Sequence, residues 1–571
     1  MPSRWKRGLC FRVDPKKELK GRAPFMGRNE CPALIIVEMI SLVNSYEQLI
    51  CARLLDYFSS KTHWNRSLWG AGTILALREV LEASEAQSQG HLTDKTIKGA
   101  VVTAMRLLRD DPGMGTPQER ETLTGLLRFD GEPRNDLPFQ GLEYEAIKET
   151  VERSLSVYLV RWSRAIAEDR PPHERASRAI ASHLLDIGFH SDYLHRWWMW
   201  RTKNPRDIET PLADMVAEAA ALAVREETTF SVLIPFPTPL QPPSGLLPPE
   251  SWIDATQVSK WLRENISSDL EGMRQQGGLL LTVPARDPES AVQFAADRVE
   301  MFAARVLLSL RKSVQPLPVA WVKGKKQSFS IERRLRGIKI GAMHRENRIW
   351  LESEPDPYID PAIELLAPLQ SGTATAAIAG GWAAIESLLS EPLARRADPA
   401  ERLATIVACS FPRAELTDLA YAVMELGGNF ADRLNALGSN KEKAALVAES
   451  ILDGSLPVLP NWSDRAAVDR MRELLATPRE TLFGIRDYIH DTFARLYRQR
   501  NLILHAGKTQ AVALRSTLRA ASPLVGAGLD RIAHGRFAGN LKPLQLAGRA
   551  RTAIENLSAD EPLRCVDLLG V

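Results

Sequence analysis

Apolar residues recur every three or four positions through most of the chain, a spacing that predicts amphipathic helices. In the first half, Pro- and Gly-containing breaks such as Asp111-Pro112-Gly113 separate the helical segments. The predicted helices cover residues 34–58, 68–81, 97–108, 144–166, 176–187 and 212–224. The pattern therefore predicts a helical domain of at least six helices over residues 32–225.

The pattern changes after residue 225. Short apolar runs at residues 229–237 and 279–283 predict strands, and residues 252–273 and 290–310 are predicted to be helical. Asp287 can cap the free amides of the second helix, and Pro288 suits its first turn. Further strands are predicted at residues 319–322, 328–331, 337–340 and 348–351. We therefore predict a small α+β domain over residues 226–355.

Helical spacing returns after the linker Glu354-Pro355-Asp356-Pro357. The predicted helices cover residues 361–389, 399–408, 415–426, 441–451, 464–475, 477–504 and 510–524. Short connections between amphipathic segments favour an antiparallel bundle over residues 356–571. The expected fold class is mainly α, with a small α+β domain between two helical domains.

Composition narrows the class of protein. The net charge is only +3, so nucleic-acid binding has to be argued from local patches. The five cysteines are scattered without a CxxC pair, which argues against a zinc knuckle or a disulfide framework and fits a reducing cytoplasm. No apolar run approaches the ~20 residues that span a bilayer. We expect a cytoplasmic protein without a metal or cofactor.

The N-terminal residues 1–31 form a basic arm. Residues 1–22 carry eight Lys or Arg side chains but no apolar core, so they do not resemble a secretory signal. A disordered tail is the preferred interpretation of this arm, and an RNA contact is the alternative.

One stretch near the C-terminus, residues 497–507, places strong polar groups at short spacing within an apolar helical pattern. Asn501 directly follows Arg500, and four residues separate Arg500 from His505. Gly507 is a natural helix C-cap, so His505 should lie on the last turn. The helix dipole there favours an imidazolium by up to about 1 kcal/mol.

This stretch resembles the Arg-X4-6-His motif of the HEPN ribonucleases, in which a polar residue follows the arginine. The wider sequence from Tyr497 to Gly507 is most similar to the Apea-like HEPN branch of bacterial phage-defence proteins. Trp382 and Glu386 extend a weaker resemblance over roughly residues 360–530. The resemblance implies a homodimeric, metal-independent endoribonuclease that acts on RNA as a toxin or effector in abortive infection. A phage-derived trigger would fit that setting.

The residue types suit such chemistry, because the 2′-hydroxyl of RNA can itself attack the phosphate. The resemblance implies that Arg500 stabilises the phosphate, that His505 acts in acid–base catalysis and that Asn501 positions them. Arg498 shares a helical face with Asn501 and His505 and is a candidate second cation. Arg500 lies about 140° from His505 on an ideal helix. A long side chain or a local distortion must therefore bring the two together.

A basic patch in the central domain is the second candidate RNA contact. Between residues 323 and 348 nine basic residues face only Glu332 and Glu346. A solvated face and a phosphate-binding surface are both open interpretations. The residues predicted to bind substrate are Lys323, Lys325, Lys326, Arg333, Arg334 and Arg336, and Lys339, Arg345 and Arg348 complete the patch.

Other interpretations also remain open. The tryptophans of residues 195–203 could stack bases, although a packed helix seam is favoured. The C-terminal bundle could be a non-catalytic HEPN adaptor that binds RNA or dimerises, or a helical scaffold whose motif is coincidental. Cleavage of RNA in EDTA would separate an enzyme from both.

Overall fold

The computed structural model describes residues 45–203, 211–242, 244, 248–266, 275–332, 336–338, 340, 354–391 and 399–570. The basic arm, the start of the first predicted helix and the predicted strand at residues 348–351 lie outside these ranges. Residues 336–338 and 340 are not in a strand, although one was predicted at residues 337–340.

The described residues of the N-terminal helical region, within 45–223, form eight α-helices and a two-stranded hairpin. Its single-turn 3-10 helices are Trp64–Arg66 and Pro112–Met114. The elements are α1 Ser45–Phe58, α2 Thr73–Ser88, α3 Asp94–Arg109, α4 Pro117–Leu126, β1 Arg128–Phe129, β2 Glu132–Pro133, α5 Leu142–Glu168, α6 His173–Asp186, α7 Ser191–Lys203 and α8 Leu212–Ala223.

Asp111, in the turn that follows α3, helps to hold this region together. Its buried carboxylate accepts hydrogen bonds from the Tyr158 hydroxyl at 2.7 Å and from Trp162 Nε1 at 3.0 Å. Thr73 at the start of α2 donates to the same carboxylate. The turn between α3 and α4 is therefore fixed to both α2 and α5.

The sheet region, residues 228–330, is an antiparallel five-stranded sheet in the order β4-β5-β3-β6-β7. Alternate residues of β3 face opposite sides. Ile234 packs toward α10 and Leu233 toward α9. The elements are β3 Thr228–Phe236, β4 Trp252–Asp254, α9 Ala255–Asn265, β5 Gly277–Ala285, α10 Pro288–Leu310, β6 Val319–Val322 and β7 Phe329–Ser330.

Two local predictions meet different outcomes in this region. Asp287 caps α10 as predicted, because its side chain accepts a hydrogen bond from the Ser290 amide at 2.8 Å. The predicted helix over residues 252–273 is wrong at its start. Trp252 and its neighbours pair with β5, and Asp254 then caps α9 through a capping box.

The C-terminal helical region, residues 359–567, packs around one extensive apolar core. It ends in the 3-10 helix Pro562–Asp567. The helices are α11 Ile359–Ser371, α12 Ala374–Leu389, α13 Pro399–Leu426, α14 Asn429–Ala436, α15 Asn440–Leu452, α16 Trp462–Ala476, α17 Pro478–Ala506, α18 Leu514–Gly539 and α19 Pro543–Glu555.

The two helical regions share buried contacts. Leu502 and Ala511, at the end of α17 and in the following loop, belong to the apolar core of the N-terminal region. Arg66 forms ion pairs across the junction with Glu415 at 2.7 Å and Asp464 at 2.6 Å. All the residues that the structure describes belong to one compact unit, and the domain boundaries at residues 225 and 355 remain predictions.

The mainly α fold class with a small α+β region is confirmed. Every helix in the described residues is too short or too polar to span a lipid bilayer.

Candidate active site

The polar motif lies at the C-terminal end of α17, a helix of 29 residues. Gly507 ends the helix in a left-handed conformation, with φ 63° and ψ 13°, as predicted. The amide of Lys508 donates to the carbonyl of Leu502 at 3.0 Å, so backbone hydrogen bonds close the last turn. The negative end of the helix dipole therefore lies beside His505.

Arg500, Asn501 and His505 form one contiguous group at this helix end. Nη1 of Arg500 donates to Oδ1 of Asn501 at 3.0 Å and lies 3.3 Å from Nε2 of His505. The helix continues without a break through all three residues. The long arginine side chain therefore spans the angular gap, and no distortion of the helix is needed.

The contact between Arg500 and His505 has a defined direction. A guanidinium can only donate, so in a hydrogen bond between them Nε2 of His505 is the acceptor. The histidine is exposed, Arg500 is half-buried and Asn501 is 7% exposed. An arriving phosphate is a stronger acceptor for the guanidinium than a neutral imidazole. Its binding would release Nε2 for proton transfer.

An aromatic pair supports the motif helix from the side. The ring of Tyr497, which is 37% exposed, lies 4.8 Å from the buried ring of Trp382 on α12. Glu386, one turn further along α12, is half-buried. The contact joins the two segments that carry the resemblance described above.

In the described part of the chain, no group of three or more His, Cys, Asp or Glu side chains is arranged to hold a metal ion. The chain was also compared with known protein families, curated proteins and solved structures. No family model, curated protein or solved structure matches the chain.

Glu79 on α2 holds the basic residues that precede the motif. It accepts hydrogen bonds from Arg495 Nε at 2.6 Å and from Arg498 Nη2 at 3.4 Å. All three residues are at most 3% exposed. Burial lowers the pKa of Arg498, and Glu79 partly opposes this effect. The structure therefore corrects the substrate-binding role predicted for Arg498, because its guanidinium is buried against a carboxylate.

Two further glutamates on α2, at three-residue spacing from Glu79, hold the loop that follows the motif. Glu85 pairs with Lys508 at 2.6 Å, and Glu82 accepts a hydrogen bond from the Val512 amide at 3.1 Å. Burial, assisted by Glu79 and Glu85, raises the pKa of Glu82 to about 7, against the opposing effects of the Val512 amide and Lys508. The N-terminal helical region thus sets the position of both α17 and its exit loop.

The predicted basic patch is only partly available to a ligand. Lys323, Lys325 and Lys326 are exposed on the turn after β6. Arg336 instead donates to the carbonyls of Leu369 at 2.9 Å and Gly372 at 2.8 Å, so it caps the C-terminal end of α11. This corrects its predicted role in phosphate binding. The remaining basic residues of the patch lie outside the described residues: Arg333, Arg334, Lys339, Arg345 and Arg348.

The tryptophan-rich helix α7 is divided between core and surface. Trp198 is fully buried and its Nε1 donates to Cys51 Sγ at 3.0 Å. Trp200 is 51% exposed, and the Arg201 guanidinium lies 4.9 Å from its ring centroid. The buried tryptophan fits the packed seam that was the favoured interpretation.

A large cavity lies away from the motif. This central cleft, of about 1820 Å³, is lined by parts of residues 57–68, 190–196, 288–300, 325–338, 413–441 and 515–534. None of residues 495–513 contributes to its lining. The sequence patterns had not identified the cleft, because its walls come from all three regions and meet only in the folded chain.

Proposed function

We propose that the chain is a metal-independent endoribonuclease of the HEPN type. The observation that supports this most directly is the contact of Arg500 with both Asn501 and His505 at an open helix end. A permanent cation can bind the phosphate, an imidazole can transfer the proton, and an amide can hold the cation in place, so the three groups together suit phosphoryl transfer on RNA.

In the proposed reaction the 2′-oxygen of the substrate attacks the adjacent phosphorus, and the bond from phosphorus to the 5′-oxygen breaks. The 2′-hydroxyl proton goes to a base, and the leaving 5′-oxygen receives a proton from an acid. The products are a 2′,3′-cyclic phosphate and a 5′-hydroxyl. Arg500 stabilises the charge that develops on the phosphate, and Asn501 holds the guanidinium in place. His505 transfers a proton through Nε2.

A second copy of the chain would complete this site. One imidazole cannot be base and acid in the same step, whereas a twofold axis beside α17 would bring a second Arg500 and His505 to the phosphate. Leu504, next to His505, is 52% exposed, while Leu502 is 2% exposed. Leu504 is therefore the apolar side chain that is free to pack across such an axis.

The resemblance to phage-defence proteins supports a role as a toxin or effector of abortive infection. In this proposal, the regions before residue 356 serve as sensor or substrate gate. The buried pairs of Glu79 with Arg495 and Arg498 give those regions a direct mechanical connection to the motif helix.

Sequencing of RNA ends after expression in bacteria tests the proposal and identifies the substrate. Wild-type protein is expected to generate new 5′-hydroxyl ends that are absent with His505→Ala. His490→Ala, on the same helix, is the matched control and is expected to retain them. The same set of ends from wild type and His505→Ala, at equal protein levels, would show that the motif cuts no RNA.

A further inference from the structure

The exposed face at the end of α17 is a short strip in which a cation lies between two apolar groups. Tyr497, Arg500 and Leu504 follow one another at spacings of three and four residues, which places them side by side on one helix face. Tyr497 and Leu504 are exposed and Arg500 is half-buried, while the exposed His505 borders the strip. An aromatic ring therefore lies next to the proposed phosphate-binding group, about 4.5 Å away along the helix axis.

The charge of Arg500 is not neutralised by a carboxylate of any residue that the structure describes. The hydrogen bonds of its guanidinium go to Asn501 and His505. The two buried arginines that precede it on the helix, by contrast, both donate to Glu79. A partly exposed cation without a carboxylate partner attracts an anion such as a phosphate. A phosphate bound there would bring the rest of its nucleotide to the side chains on either side of Arg500.

Trp382 supports the ring of Tyr497 and leaves part of it exposed. The two ring centroids are 4.8 Å apart at an interplanar angle of 46°, and Trp382 itself is buried. Within the described residues, the hydroxyl of Tyr497 forms no hydrogen bond. Tyr497 is therefore an aromatic surface held in place from below, and its hydroxyl remains available to a ligand.

We propose that Tyr497 is the stacking surface for an unpaired base next to the phosphate that Arg500 binds, so that the substrate of this site is single-stranded RNA. This inference rests on the proposed function, because it takes Arg500 as the phosphate-binding group. Unpaired bases can turn outward and stack on aromatic side chains, whereas the bases of a duplex remain stacked on one another. Every base has a π-face, so this surface selects unpaired over paired RNA more strongly than one base over another.

The position of Tyr497 favours a base over a second protein chain as its partner. Leu504 lies beyond Arg500 at the end of the helix, where the proposed twofold axis would bring the second His505 to the phosphate. Tyr497 lies on the opposite side of Arg500, about 10 Å from Leu504 along the helix axis. A nucleotide held by Arg500 can therefore reach Tyr497 while the second chain packs on Leu504.

Fluorescence anisotropy of the full chain with a labelled strand of 2′-O-methyluridine, about 12 nucleotides long, tests the stacking. The methyl group prevents attack by the 2′-oxygen, so binding is measured without cleavage. An abasic 2′-O-methyl strand of the same length is the reference, because it keeps the phosphate charges and lacks the bases. Wild type should bind the strand with bases at least about fivefold more tightly than the abasic strand. Tyr497→Leu removes the ring and should bind the two strands almost equally.

Two variants control for the loss of an aromatic residue as such. Tyr497→Phe keeps the ring and should keep the wild-type preference for bases. Phe129→Leu is the matched control and should also keep it, since Phe129 is an exposed aromatic residue on β1 beside the Arg134 guanidinium. Circular dichroism checks that each variant is folded.

The stacking proposal is wrong if wild type binds both strands equally, or if Tyr497→Leu and Phe129→Leu have the same preference for bases. It is also wrong if Tyr497→Leu weakens self-association in analytical ultracentrifugation, because the ring would then belong to the contact between two chains.

Cleavage assays separate this proposal from the proposed function. If wild type cuts single-stranded RNA and Tyr497→Leu does so with an unchanged KM, the stacking is rejected and the ribonuclease proposal stands. If wild type prefers bases through Tyr497 but cuts no RNA, the stacking surface is confirmed and the ribonuclease proposal fails.

Discussion

Replacing Glu82 with glutamine is expected to stabilise the protein above pH 7. The Glu82 side chain is half-buried beside Glu79 and Glu85, and burial is the main cause that raises its pKa from 4.5 to about 7. Between these values the folded state holds a proton that the unfolded state has lost, so stability falls as pH rises through this interval. Above pH 7 the Glu82 carboxylate is charged in the folded protein, and the folded state then bears the full cost of that charge. The difference between the two pKa values corresponds to about 3 kcal/mol of unfolding free energy.

Glutamine keeps a carbonyl oxygen that can accept the hydrogen bond of the Val512 amide, but it has no charge to bury. Glu82→Gln should therefore raise the unfolding free energy by about 1–3 kcal/mol at pH 8 and change it little at pH 4.5. For a cooperative unit of this size the gain corresponds to an increase of roughly 1–3 °C in the melting temperature. Thermal melting by far-UV circular dichroism at both pH values measures it.

Glu85→Gln is the matched control, because it removes the ion pair of Glu85 with Lys508 and should not stabilise the protein at pH 8. Hydrogen exchange of the amides of residues 507–513 adds a local measurement, with slower exchange expected in Glu82→Gln at pH 8. If Glu82→Gln lowers the melting temperature at pH 8 as much as Glu85→Gln, Glu82 is stabilised in its charged form and this reasoning is refuted.

Three further predictions follow from the contacts of α17. Arg498→Met should lower the unfolding free energy by about 3 kcal/mol. This is the low end of the range for a broken buried ion pair, because Arg495 still neutralises Glu79. An unchanged midpoint of urea unfolding would contradict this prediction. Leu504→Glu should weaken self-association in analytical ultracentrifugation while far-UV circular dichroism shows an unchanged helical fold, and a dimer of unchanged affinity would exclude the proposed axis. Expression of wild type should arrest growth, and Arg500→Ala or His505→Ala should relieve the arrest; equal toxicity at equal protein levels would count against the motif.

Local signals predicted the helix ends that depend on local chemistry. Gly507 and Asp287 act as caps through their own backbone or side chain, and both positions were predicted correctly. The predicted break between residues 408 and 415 is wrong. Helix α13 is continuous there, and Pro412 lies buried within it. The predicted helix over residues 361–389 instead breaks at Gly372, where Thr373 caps α12.

The candidate site could be predicted only where its residues are neighbours in sequence. Arg500, Asn501 and His505 lie on one helix turn and the next, so their spacing was informative. Arg498 is also an arginine on this helix, close in sequence to Arg500, but its partner Glu79 is more than 400 positions away in the chain. No local pattern could indicate that this arginine would be buried against α2. The same limit applies to Arg336, which caps the distant helix α11.

Cleavage of RNA by the purified protein in the presence of EDTA tests the central claim most directly. The proposal predicts that wild type and His490→Ala cut single-stranded RNA to 2′,3′-cyclic phosphate ends. Loss of the proton-transfer group in His505→Ala should lower the rate at least a hundredfold. A 2′-deoxy substitution at the cut site should block the reaction. Cleavage that stops with the chelator, that extends to DNA, or that His505→Ala performs at the wild-type rate would contradict the account.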